Sequence, residues 1–216
     1  MVRTRRELAV FLSKLNVFTK PSFILEQYVS DSEVAAILLW KMMLNSEIED
    51  RIIVDLGAGT GILGIGALLL GAKHVIFVDV DSKMKTEIEK NIEILNENWE
   101  IDVEGRWNFV CKDVKEFQLD EKIDKTEVIV LMNPPFGTRN KHLDKVFLEK
   151  AMELTHSIYT MHKTSTKVFI EALCRDNNLD IYWLEDTSFP IKNTMQQHTK
   201  KIERIEVSLF NLRKNN

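Results

Sequence analysis

Cysteine, proline and long apolar runs are all scarce in this 216-residue chain. Two cysteines, Cys111 and Cys174, cannot build a disulfide framework, and neither stands in a CxxC or Cys/His zinc spacing. They read as buried small hydrophobes of a reducing compartment. The five histidines, His74, His142, His156, His162 and His198, show no metal-ligand spacing, so no metal is expected, and His162 reads as a structural hydrogen-bonding group. There is no GxSxG elbow and no Walker A lysine after the glycine cluster, which removes α/β-hydrolase and P-loop chemistry. The longest apolar run, Ile62 to Leu70, is broken by glycines and falls far short of the roughly 20 residues of a membrane span. The basic start Met1-Val-Arg-Thr-Arg-Arg-Glu7 leads into no apolar signal-peptide segment. Cytoplasmic residence, or nuclear residence in a eukaryote, is the expectation.

What is present is an ordinary globular mixture, 44% hydrophobic and 29% charged, in a chain long enough to bury a core without staples. The net charge of -4 argues at face value against a polyanionic partner. Its distribution does not. Residues 1–20 carry five basic side chains against one acidic, 128–175 seven against four, and 189–216 six against two. Residues 76–127 carry eight basic against fifteen acidic. Such asymmetry fits one anion-facing side and one acidic side, although solvated faces alone would also produce it.

No repeat or linker-like stretch divides the chain, so it reads as one domain. Leu8, Phe11, Leu12 and Leu15 share one face of a helix from Arg5 to Leu15. Ser30-Asp31-Ser32-Glu33 fits a capping box for a helix from Val34 to Leu44. The runs Arg51–Leu56, His74–Val80, Trp107–Cys111 and Glu127–Met132 read as strands, the first ending in glycines that open a helix from Gly61 to Leu70 closed by Gly71. Helices are expected from Ser82 to about Leu95, at Leu143–His156 and at Thr166–Asn177, and strands near Ile181–Leu184 and Ile202–Phe210. Strands alternating with helices imply a parallel, doubly wound α/β sheet.

Asp55-Leu-Gly-Ala-Gly-Thr-Gly61 lies at the carboxyl end of the first strand, where glycines let the backbone turn sharply and approach a ligand at a helix start. Asp79 ends the second strand 22 residues past Gly57, the place from which an acid reaches ribose hydroxyls in nucleotide-binding folds of this kind. After the third strand, Asp113 is placed to accept from an adenine amine, with Val114 beside the ring. Asn133-Pro-Pro-Phe136 follows the fourth strand. Prolines there are costly in a sheet, and each holds the residue before it extended, so the asparagine and its neighbouring carbonyl become fixed acceptors beside an aromatic ring. An exocyclic NH2 with two donors, on a base extruded into a pocket, is the matching partner.

On these residues the chain resembles a known family. Asp55–Gly61 is similar to motif I of S-adenosylmethionine-dependent methyltransferases, and Asn133-Pro-Pro-Phe136 to the signature of those that methylate an amino group on adenine or glutamine. Asn133-Pro-Pro-Phe-Gly-Thr138, Leu25-Glu-Gln-Tyr28 and His162-Lys-Thr-Ser-Thr166 together resemble the archaeal and eukaryotic methyltransferase-like family that makes N6-methyladenosine in small-subunit ribosomal RNA. The resemblance implies a Rossmann-like class I methyltransferase fold, a doubly wound, mostly parallel seven-stranded sheet. Residues 1–48 would form an N-terminal helical extension and residues 49–216 the catalytic core. It implies S-adenosylmethionine as cofactor, with Gln27 and Ser30 over its methionine end and Asp55, Gly57, Gly59, Thr60 and Ile62 lining the first turn. Asp79 would meet the ribose, Asp113 and Val114 the adenine, with Val80 also at the cofactor, and Asn133, Pro134, Pro135 and Phe136 would clamp the target base. Ser30 departs from the family's usual threonine, and Thr199 interrupts the basic run near the C-terminal hairpin.

An RNA substrate is then expected to meet Arg3, Arg5, Arg6, Lys163, Lys192, His198, Lys200 and Lys201. A glutamine amide in a protein would suit the same acceptors. An NAD-dependent oxidoreductase, reading Gly59-Thr-Gly61-Ile-Leu-Gly64 as its fingerprint, leaves Asn133-Pro-Pro-Phe136 unexplained. The resemblance also implies a small zinc-binding activator protein on the edge strand Arg106–Val110.

Overall fold

The computed structural model describes residues 2–18, 22, 27, 30–99, 101–135, 143–190 and 204–214. Helix α1, Arg5–Leu12, is capped by Thr4, whose hydroxyl accepts from the Glu7 N–H, and it buries Leu8, Ala9, Phe11 and Leu12. Helix α2, Ser32–Leu44, is capped by Asp31, which accepts from the Glu33 and Val34 N–H groups. The expected capping box is therefore shifted by one residue: Asp31 does the capping, and Ser30 is released for another contact.

The core alternates as expected: β1 Ile52–Leu56, α3 Ile62–Leu69, β2 His74–Asp79, α4 Met84–Trp99, β3 Trp107–Cys111, β4 Val128–Met132 and α5 Leu143–Leu154. It continues with β5 Ser157–Lys163, α6 Lys167–Asp176, β6 Leu179–Pro190 and β7 Arg204–Lys214. One seven-stranded sheet results, in the order β3-β2-β1-β4-β5-β7-β6. The first five strands run parallel, and β7 lies antiparallel between β5 and β6.

Strand β1 is covered on both faces because helices from both halves of the winding pack on it. Ile53 joins the apolar layer of α1, α2, α3 and α4, while Val54 and Leu56 join the layer of α5 and α6. The N-terminal helices are thus a wall of the main core. Burial on both faces is also why β4 reads as an unbroken apolar run and β1 as one interrupted only by Asp55.

Strand β5 has no counterpart among the sequence expectations, which ran a helix to His156 and left residues 157–163 unassigned. It is a central strand whose buried residues include polar Thr160 and His162, so neither alternation nor an apolar run marks it. Thr160 Oγ1 and His162 Nε2 satisfy one another at 2.9 Å, and burial pushes the imidazole pKa down to about 3. Strands β6 and β7 are longer than expected because they pair with each other over most of their length, with one register shift between Ile181 and Trp183. No helix among the described residues is long and apolar enough to cross a membrane.

Candidate active site

The sheet reverses its winding between β1 and β4, and at their carboxyl ends a cavity of about 270 Å³ opens. This is the place where open α/β sheets bind ligands. The turn after β1 forms its floor. Gly57 N–H and Ala58 N–H both donate to the Val78 carbonyl, at 2.8 and 3.0 Å, which ties the turn to β2. Gly59 adopts φ +53°, and a Cβ there would stand 2.8 Å from the Phe18 ring. Both backbone shape and space therefore demand glycine. Gly64 is needed for another reason. A Cβ on it would run into Phe77 and Val75, so its absence lets α3 lie against β2. Of the three glycines in the GxGxxG match, the last is a packing residue.

Three acids stand around this floor. Asp55 is buried, its Oδ2 accepts from the Gly64 N–H at 2.8 Å, and burial raises its pKa to about 7, with the charge of Asp79 adding to the rise. Asp79 accepts from the Gly59 N–H at 2.8 Å through Oδ2 and from the Asp81 N–H at 2.9 Å through Oδ1. Burial raises its pKa too. The residue expected at the ribose thus also holds the glycine turn in shape, and each oxygen keeps a second lone pair for a ligand hydroxyl. Asp113 is exposed and caps a 3-10 turn, Val114–Glu116, by accepting from the Lys115 N–H at 2.9 Å. Val80, 52% exposed, and buried Val114 supply apolar lining between these acids.

Across the cavity stands Asn133. Its Nδ2 donates to Ser30 Oγ at 2.9 Å, while its Oδ1 is buried and has no hydrogen-bond partner among the described residues. Leaving a buried acceptor unpaired costs about 1–3 kcal/mol, so such an atom in a cavity wall implies a ligand donor. Pro134 and Pro135 line the cavity beside it, and Phe136 lies outside the described residues. Gln27 also lines the cavity. Its Oε1 accepts from the Ser22 N–H at 2.7 Å, and its Nε2 donates to Asp81 Oδ2 at 3.2 Å.

Every described residue expected at the cofactor or the target base therefore borders this cavity: Gln27, Ser30, Asp55, Gly57, Gly59, Thr60, Ile62, Asp79, Val80, Asp113, Val114, Asn133, Pro134 and Pro135. Sequence reasoning missed Leu15, Asn16, Val17 and Phe18, which enter the wall from the end of α1, and Leu143 and Phe147 of α5. Asn91 of α4 pins that first segment, accepting from the Asn16 N–H at 2.6 Å and donating to the Asn16 and Thr60 carbonyls. A buried asparagine on an otherwise apolar helix face was the available signal.

The expected RNA contacts are scattered. Arg5 and Arg6 are exposed on the first turn of α1, whose other end faces the cavity, and Arg3 is exposed just before it. Lys163 ends β5 and borders a separate groove. Lys192, His198, Lys200 and Lys201 lie outside the described residues. Cys174 is buried as expected, but Cys111 is exposed, because as the last residue of the outermost strand it has a neighbouring strand on one side only. Trp107 and Phe109 of that edge strand turn inward: both pack on the core, and Trp107 meets Phe77 edge-on at 6.1 Å.

The cavity suits a nucleoside cofactor, with a glycine floor that no side chain can fill, acids at the ends of β2 and β3, and apolar lining between them. Combined with an antiparallel β7 between β5 and β6, it places the molecule among class I S-adenosylmethionine-dependent methyltransferases. A family model described as conserved hypothetical protein 95 matches residues 39–174. An uncharacterized protein of Methanocaldococcus jannaschii is 33% identical over 97% of this chain and 94% of its own. The rRNA N(6)-adenosine-methyltransferase Mettl5 of Drosophila melanogaster is 31% identical over 95% of this chain and 94% of its own. A crystal structure from Pyrococcus horikoshii, assigned provisionally to the RNA methyltransferases, superposes with a TM-score of 0.84 at 38% identity, covering 99% of each chain. The chain belongs to the conserved hypothetical protein 95 family.

Proposed function

We propose that this protein transfers a methyl group from S-adenosylmethionine to the N6 amine of an adenosine in RNA, with ribosomal RNA as the substrate class. One observation carries the reading: Asn133 Oδ1 is a buried, unpartnered acceptor, among the described residues, in the wall of a cofactor-sized cavity. The relatives support it, since one is named an rRNA N(6)-adenosine-methyltransferase.

The residues that would hold the cofactor are Gly57, Gly59 and Ile62 under its chain, Asp79 at the ribose, and Asp113 with Val80 and Val114 at the adenine. When bound, S-adenosylmethionine supplies an electrophilic methyl on a sulfonium. The chain's own contribution is to prepare the nucleophile. The lone pair of the adenine amine delocalises into the ring, and accepting its two hydrogens at Asn133 Oδ1 and the Pro134 carbonyl draws that pair back onto nitrogen. Ser30, bonded to the other end of the Asn133 amide, holds the acceptor in place. Orientation of the amine contributes much of the rate in such a direct transfer.

The test is transfer of labelled methyl from S-adenosylmethionine into extracted RNA or into protein, with wild type and Asn133→Ala. Label in RNA that Asn133→Ala abolishes while still binding cofactor is the expected result. Label in protein alone assigns a glutamine amide instead, and near-wild-type turnover by Asn133→Ala sinks the clamp.

Two further elements belong to this reading. A small zinc-binding activator is proposed to add a strand to β3, which forms the sheet edge and has one strand neighbour. Co-expressing the activator then raises the solubility and activity of the wild type, and Phe109→Pro, at a residue whose N–H alternates with those that pair with β2, reduces that gain; a lone protein that is monodisperse, fully active and unchanged by the activator removes the partner. Cytoplasmic or nuclear residence follows from the RNA substrate and agrees with two free thiols, Cys111 and Cys174.

A further inference from the structure

A second groove, of about 390 Å³, opens at the same end of the sheet as the cavity and is bordered by Lys163, Ser165, Ser188, Arg204, Ile205 and Glu206. Its walls come from the end of β5, the end of β6 and the start of β7. In register, Met132 pairs with Thr160, so Lys163 stands three residues beyond the level of Asn133's strand end, one strand over. Arg204 pairs with Pro190 two strands from β4. At about 3.3 Å per residue and 4.8 Å per strand, the groove lies on the order of 10–20 Å from the Asn133 clamp. That separation is too large for the target base and suits a nucleotide flanking it.

The groove's chemistry is specific. The Arg204 guanidinium is already oriented, with Nε donating to Ser188 Oγ and Nη2 to the Ser188 carbonyl, both at 3.0 Å. Those bonds leave the Nη1 donors outside them, and a pre-oriented fork loses less side-chain entropy when it meets a phosphate. Lys163 adds a second cation, half-buried, and Ser165 a hydroxyl. A network below fixes the walls: Ser208 Oγ donates to Asp186 Oδ1 at 2.6 Å and lies 3.2 Å from Thr164 Oγ1, and Lys167 pairs with Asp186. One feature opposes a bare phosphate. Glu206 also borders this groove, paired with Ser188 across the β6–β7 ladder, and among the described residues its carboxylate makes no hydrogen bond or ion pair. A carboxylate beside two cations and a hydroxyl is the acceptor that a ribose 2′-hydroxyl needs, and deoxyribose has no donor to offer it.

We infer that this groove is a ribonucleotide subsite: Lys163 and Arg204 hold a backbone phosphate flanking the target adenosine, and Glu206 accepts from the 2′-hydroxyl. The inference deepens the RNA reading above by assigning a place where RNA is told from DNA. The test measures binding of a single-stranded adenosine-containing RNA, and of DNA of the same sequence, by wild type, Lys163→Ala, Arg204→Ala and Glu206→Ala across a salt series. Calorimetry with S-adenosylmethionine checks that each variant is folded. Lys163→Ala and Arg204→Ala are expected to weaken RNA binding and to reduce the log-log salt slope by about 0.7 each. Glu206→Ala is expected to bring RNA and DNA affinities within about twofold of each other, with DNA binding no weaker than in wild type.

Wild-type slopes in both cation variants overturn the phosphate assignment, and an unchanged RNA preference in Glu206→Ala overturns the sugar assignment. Either failure, in a protein that still labels RNA, leaves the methyltransferase reading standing. Loss of RNA binding in the variants of a protein that labels only protein refutes that reading and keeps the groove.

Discussion

Ser30 and Asn133 stand 103 positions apart in the chain and share one hydrogen bond, 2.9 Å from Nδ2 to Oγ, across the mouth of the cavity. The bond uses the donor end of the asparagine amide, and Oδ1 is left as the acceptor. Ser30 is thereby a positioning residue for the clamp, in addition to bordering the cavity where the cofactor's methionine end is expected. A net hydrogen bond is worth about 0.5–1.5 kcal/mol, so Ser30→Ala should lower kcat roughly 2- to 10-fold. The Kd for S-adenosylmethionine should change less. Ser30→Thr keeps the hydroxyl and should restore kcat. Equal loss of kcat in both variants would mean that the hydroxyl does not orient Asn133.

Gly59 bears on the cofactor alone. With φ +53° and the Phe18 ring 2.8 Å from the place of a Cβ, alanine must displace both the turn and the ring. Gly59→Ala should weaken cofactor binding by tenfold or more, on the order of the 1.4 kcal/mol that one decade represents. Calorimetry measures it directly, and adding Phe18→Leu should recover part of the loss. Unaltered cofactor affinity in Gly59→Ala would place the ligand elsewhere.

Asp55 predicts a pH dependence of stability. Folded, its pKa is about 7 rather than the ordinary 3.8, chiefly because of burial. The native state therefore keeps a proton that the unfolded chain releases, and folding stability falls as pH rises between those two values, then levels off. Asp55→Asn keeps an acceptor for the Gly64 N–H and removes the ionisation. Its Tm gain over wild type should be near zero at pH 4, grow towards pH 7 and stay constant above it. Thermal melts across that range decide the matter; a gain independent of pH would show that Asp55 does not titrate with unfolding.

Asn91 is a stability hinge for the segment that walls the cavity. Its amide satisfies the N–H and carbonyl of Asn16 and the carbonyl of Thr60 from a fully buried position. Asn91→Leu strands those backbone groups and should cost about 1–3 kcal/mol, seen as a lower midpoint in urea. Hydrogen exchange should accelerate at residues 15–18 more than in β1. Uniform acceleration would mean that the residue supports the whole core equally.

Much of this molecule was legible one residue at a time. Apolar runs marked β1, β2 and β4, the first of them closed by glycines, because strands covered on both faces need no polar alternation. The acids at 55, 79 and 113, the glycine turn and Asn133-Pro-Pro were legible because each is a local solution to a local requirement: a backbone that must turn, a strand end that must present a charge or a fixed carbonyl. Strand β5 escaped because its polar residues, Thr160 and His162, satisfy each other inside the core, and such pairing leaves no periodic trace. Ser30 was read as a cap because its neighbours fit that motif, yet Asp31 took the position and freed the hydroxyl for Asn133.

The amino-acid sequence by itself determined the succession of helices and of every strand but β5, and the chemistry at the ends of β1 to β4, since propensity, turn geometry and burial act over a few neighbouring residues. Tertiary structure alone decided which distant residues meet: Ser30 with Asn133, Asn91 with Asn16, Phe18 over Gly59, and Lys163 with Arg204 and Glu206 in one groove. Those pairings depend on strand order and on how the N-terminal segment folds back over the sheet, quantities set by burial of the whole apolar surface and by no single stretch of chain.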